Sequence, residues 1–135
     1  MTDSRRPAGA TAALIVAAAG FLFTAGLMLV VSEPAAFDAG GWLVLGAFMA
    51  FAVSPYVALA IVARRLRGRA VGWAAFAAAL LMTVPASILY VLAFFVEPDA
   101  QSGLLFIFMP LYQFLAGGAA ALITAILLRL RAGAR

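Results

Sequence analysis

The sequence predicts an all-α integral membrane protein, four transmembrane helices in an up-down-up-down bundle. Three observations lead there. Of the 135 residues, 67% are hydrophobic and only 10% are charged, whereas a soluble domain carries about 25% charged residues. So few charges cannot cover a water-facing surface, and lipid must be the main solvent. Four apolar runs, at about 8–31, 40–63, 71–96 and 103–128, contain no acidic or basic residue. Each exceeds the ~20 residues that cross a hydrocarbon core roughly 30 Å thick. Finally, the charges sit between the runs and alternate in sign from one connector to the next.

The first run has an apolar core too long for the 7–15 residues of a signal-peptide h-region, and is expected to stay as a helix. It carries Gly9, Ala13, Ala17, Gly20 and Thr24 along one stripe. Small residues of this kind let helices approach closely in lipid, where there is little hydrophobic drive between them. The connector "SEPAAFDA" (32–39) bears Glu33 and Asp38. The second run opens near Trp42 and holds Ser54, Pro55 and Tyr56. The connector "RRLRGRA" (64–70) supplies Arg64, Arg65, Arg67 and Arg69. It also contains a GxxxG at Gly68–Gly72, which would equally serve a dimer.

The third run places Thr83, Ser87 and Tyr90 on one face at steps of four and three, with Pro85 between them. After "EPDAQS" (97–102), the fourth run has Pro110, Tyr112 and Gln113, then Gly117, Ala120 and Thr124 on the face of Gln113. Arg129, Arg131 and Arg135 follow it. Pro55, Pro85 and Pro110 each lack an N–H and crowd the carbonyl four residues earlier, so a kink is expected at each. The whole chain, 1–135, reads as a single transmembrane domain. The short connectors are expected to make consecutive helices antiparallel neighbours. An offset of 64 residues aligns Glu33-Pro34 with Glu97-Pro98 and Arg65-Leu66-Arg67 with Arg129-Leu130-Arg131. A duplicated hairpin would give that pattern, and so would the matching charged ends of any two helical hairpins, since the identities between those ends are mostly alanine.

Arg5 and Arg6, the four arginines of the middle connector and the three after the last run all belong to one side. The other connectors carry acids and no basic residue. By the positive-inside rule both termini and the middle connector are cytoplasmic. An Ala-, Gly- and Arg-rich chain without lysine suggests a bacterial cytoplasmic (inner) membrane. The arginines at 64, 65, 67 and 69 are expected to set topology and to meet anionic headgroups.

The missing residue types exclude much chemistry. There is no Cys, His or Lys, hence no thiolate, imidazole base or Schiff-base amine. No run contains the carboxylate or histidine of a proton-coupled transporter. The acids of the outer connectors lack further spaced oxygen ligands, so no metal or cofactor is expected. The basic balance follows from orientation, and no nucleic-acid partner is expected.

One cluster stands out. Counting ~1.5 Å per residue from each span centre sets Ser87, Tyr90, Tyr112 and Gln113 at one level in the outer half. Tyr56, toward the cytoplasmic half, joins it less easily. A primary amide has two donors and two acceptor sites, so Gln113 must face helices or water. In one reading it is interhelical glue, bonded to Ser87, Tyr90 or the Phe106 carbonyl that Pro110 frees. In the other, the four residues line an outward vestibule for a small polar solute. The expected function is accordingly a non-catalytic accessory or scaffold subunit. Its partners are the lipid bilayer and a second copy or a larger membrane protein. The alternative is an uncoupled channel or solute-binding protein with its site between helices 3 and 4.

Overall fold

Apolar helices in lipid are held together by close packing and by the few polar groups they share, and both are visible in this bundle. The computed structural model describes residues 7–99 and 101–133; Arg5, Arg6 and Arg135 lie outside them. The chain forms α1 (Ala8–Val31), α2 (Ala39–Arg65), α3 (Arg69–Val91) and α4 (Leu105–Gly133). All four are long and apolar enough to cross a membrane. The protein is thus an all-α, multi-pass membrane protein with its apolar outer surface in contact with lipid.

The ends of the helices are built by local hydrogen bonds. The Pro7 carbonyl accepts from the N–H groups of Ala10 (2.9 Å) and Thr11 (3.2 Å) at the start of α1. Asp38 caps α2, its carboxylate accepting the Gly41 N–H at 2.8 Å. The arginines extend α2 and α3 beyond the expected apolar limits. Arg64 and Arg65 form its last turn, where cations suit the negative end of the helix dipole. Past Val91 the third span widens into a π turn, Leu92–Val96, closed by Glu97 N–H donating to the Leu92 carbonyl at 2.8 Å. Ser102 clasps this turn to the next element: its Oγ donates to the Ala93 carbonyl (2.8 Å) and accepts from the Asp99 N–H (3.1 Å).

The arrangement of helices differs from the expected one. α1 packs along both α2 and α3, and α4 packs against α2 and α3, whereas α2 and α3 scarcely meet. Around the bundle the order is α1–α2–α4–α3. Consecutive helices remain antiparallel, but α2 and α3 are diagonal rather than adjacent. The link between them is only Leu66, Arg67 and Gly68. Four Cα steps reach about 13–14 Å, enough for the diagonal of helices spaced at 8–10 Å. The order also bears on the 64-residue offset. A two-fold axis along the bundle would set α1 diagonal to α3, yet the two are side by side.

The close contact of α1 with α3 explains the order. Gly9, Ala13, Ala17, Gly20 and Thr24 are all buried. A Cβ at Gly9 would lie 2.5 Å from the backbone of Gly72 and Trp73; only glycine permits that crossing. Within this fold the GxxxG at Gly68–Gly72 serves a contact inside the chain. Gly72 is spent on α1, and Gly68 precedes α3 with φ 96°, a left-handed conformation that favours glycine.

Two apolar clusters fill the interior. At the acidic end, Leu27, Met28, Leu45, Ala52, Ala86, Tyr90, Phe106 and Met109 pack together. At the arginine end, Ala13, Ala17, Leu59, Ala63, Ala79 and Met82 do so. Trp42 and Trp73 stand half exposed near opposite ends, where amphipathic rings meet the membrane interface.

Candidate functional site

Between the two clusters lies a polar junction of three helices. α4 directs Gln113 into the interior, where it is 1% exposed. Its Nε2 donates to the Tyr56 hydroxyl of α2 at 2.8 Å and to the Met82 carbonyl of α3 at 3.0 Å. Both amide N–H groups are thereby used, as burial in hydrocarbon demands. Tyr56 is itself buried, its ring lying against Gly20 of α1, where a Cβ would be 2.9 Å from Cδ1 and Cζ and closer still to Cε1. The junction therefore engages all four helices.

The prolines surround it. Pro55 and Pro110 are buried and Pro85 is half-buried, each inside a continuous helix. Pro55 removes the N–H that would meet the Phe51 carbonyl. Ser54 supplies the substitute, its Oγ donating to the Phe51 oxygen at 2.7 Å. Pro85 leaves the Leu81 carbonyl without its usual partner, and the carbonyl next to it, Met82, is the one that accepts from Gln113.

The structure does not bring the four expected residues together. Tyr90 is buried at the acidic end, stacked on Phe106 with ring centroids 5.0 Å apart; Phe106 also stacks on Phe94 at 5.2 Å. Phe106 is seven residues before Gln113, about 10 Å along the helix. Ser87 is half-buried on α3, five residues beyond Met82 toward the acidic end. Tyr112, one step of about 100° from Gln113, points outward and is 45% exposed. Counting from span centres misplaced the pair by about one turn. The α3–α4 register is set instead by the Tyr90–Phe106 stack and by Met82 against Gly117, where a Cβ would meet the sulfur at 3.1 Å. Gln113 consequently sits near mid-depth. It bonds neither Ser87, Tyr90 nor the Phe106 carbonyl, but Tyr56, which is expected from its position in the sequence to join the cluster less easily. The signal for Tyr56 was Gly20: a gap at the centre of α1 needs a large side chain opposite.

Two further hydroxyls, Thr24 Oγ1 and Thr83 Oγ1, are buried without a hydrogen-bond partner among the described residues. Arg64, Arg65, Arg67 and Arg69 are exposed at the same end of the bundle as Arg129. At the opposite end a cleft of about 380 Å³ lies between α1, α2 and the start of α4, lined by Met28, Ser32, Phe37 and Phe106 among others. None of Ser87, Tyr90, Tyr112 or Gln113 borders it. Compared with protein families, with curated proteins and with solved structures, the chain finds no match.

Proposed function

We propose that this protein is a non-catalytic accessory or scaffold subunit of a bacterial cytoplasmic membrane, associating with itself or with a larger membrane protein. The observation that carries this reading is the engagement of both Gln113 amide donors inside the bundle. Tyr56 and Met82 accept them, which makes the amide a fastener of helices. Tyr112, the other polar group beside it, faces outward. The residue types on hand support no activated nucleophile or general base, and the protein acts without catalysis. The positive-inside rule, applied to its arginines, supports cytoplasmic termini and a cytoplasmic Leu66–Gly68 link.

Native mass spectrometry of complexes released directly from membranes tests the proposal. A self-associated species or a complex with another subunit is expected; a chain found only as a monomer would refute it. The second reading, an uncoupled channel or binding protein for a small polar solute, draws on the hydroxyls of Thr24 and Thr83, which have no partner among the described residues. A liposome flux assay comparing the wild type with Gln113→Leu addresses it. Equal flux of small polar solutes through both, at the protein-free level, would dismiss it.

A further inference from the structure

Toward the arginine end, a groove of about 470 Å³ lies between α2, α3 and α4. It begins beside Pro55, Met82 and Gln113 and runs to Leu66 and Val71, with walls of alanine and glycine too small to fill it. Gln113 and Thr124 are its only polar side chains, and the Thr124 hydroxyl is spent on the Ala120 carbonyl at 2.8 Å. The remaining lining is apolar, and unfilled apolar walls forfeit dispersion contacts.

Its dimensions and its mouth identify what fills it. Pro55 to Leu66 is about 16 Å of helix, close to one leaflet of a hydrocarbon core roughly 30 Å thick. Its length and apolar walls suit a single hydrocarbon chain of that leaflet. Each wall ends in arginine. Leu66 lies between Arg65 and Arg67, Val71 follows Arg69 by two residues, and Arg129 is one turn beyond Ala125 on the same face of α4. All four are exposed, and every acidic residue among those described belongs to the opposite end. Guanidinium groups match phosphate in charge and geometry.

The geometry points to a binding site for one anionic phospholipid of the arginine-side leaflet, an acyl chain in the groove and its phosphate held by Arg65, Arg67, Arg69 and Arg129. This lipid is a structural ligand, and the site stands whether or not the protein is a scaffold.

Native mass spectrometry of the full chain in detergent, titrated with phosphatidylglycerol or with phosphatidylcholine of the same acyl chains, tests the assignment. One phosphatidylglycerol per chain is expected, with a dissociation constant at least ten times lower than for phosphatidylcholine. Gly118 borders the groove and a Cβ there meets nothing within 4 Å, so Gly118→Leu should lower phosphatidylglycerol affinity at least tenfold. Leucine is the better helix former, which keeps this variant folded; Ala121→Phe fills the same space and should do likewise. Arg67→Gln with Arg69→Gln should reduce phosphatidylglycerol binding to the phosphatidylcholine level. Equal affinity for the two lipids, or unchanged binding in both groove-filling variants, would overturn the proposal. So would displacement of lipid by a second copy of the chain.

Discussion

Gly20→Ala probes the junction that ties the four helices together, and Gly26→Ala, six residues along the same helix, is its control. A Cβ at Gly26 meets nothing within 4 Å, whereas at Gly20 it would stand 2.9 Å from two atoms of the Tyr56 ring and nearer to a third. Carbon atoms prefer about 3.5–4.0 Å, so the ring must move by roughly 1 Å. It has no free space, being 1% exposed and fixed by Gln113 at its hydroxyl. Overpacking of this kind costs about 1–3 kcal/mol, and loss of the Tyr56–Gln113 bond adds about 0.6 kcal/mol. The gain in helix propensity is common to both substitutions and cancels in the comparison. Gly20→Ala should therefore be less stable than Gly26→Ala by about 2–3 kcal/mol, measured by unfolding in mixed detergent micelles followed by circular dichroism. Adding Gln113→Leu should shrink the Gly20→Ala effect, because the bond it disrupts is already gone. Equal stabilities for the two glycine variants would refute the packing of Tyr56 on Gly20.

Other consequences follow from the backbone repairs and from the outward-facing tyrosine. Ser54→Ala should destabilise by about 1 kcal/mol in the wild type and have little effect in a Pro55→Ala background, since alanine restores the N–H that Phe51 lost; the same unfolding assay reads this. Ser102→Ala removes both hydrogen bonds of the π-turn clasp and should speed amide hydrogen exchange at Asp99, whose N–H loses its acceptor, while leaving the Gln113 junction protected. Tyr112→Leu should change stability by no more than about 0.5 kcal/mol, as expected for an exposed position without a buried partner; a larger loss would show that Tyr112 belongs to the interior after all.

Much of the fold was legible in the residues. The spans were visible because a lipid core imposes length and excludes charge, and the small-residue stripe of α1 marked its buried face. The amide was legible too, since Gln113 cannot stand unpaired in hydrocarbon. Its partner was not. Tyr56 looked displaced because depth was counted from span centres, and a one-turn error in register exchanges every neighbour of a side chain. The π turn at Leu92–Val96 and the 3₁₀ turn at Ser102–Leu104 make that counting unreliable. Nothing in a single sequence announces them.

The sequence by itself determined the number of helices, their alternating direction and the end of the bundle at which every arginine of the middle link belongs. These follow from transfer energies, which depend on what each residue is and hardly at all on its neighbours. Only the tertiary structure decided that α2 and α3 are diagonal, that Gly72 meets Gly9, and that Gln113 bonds Tyr56 and Met82 while Tyr112 faces out. Those facts depend on how closely two backbones approach and on helix rotation. Both are set by shape complementarity between segments far apart in the chain, which local composition does not encode.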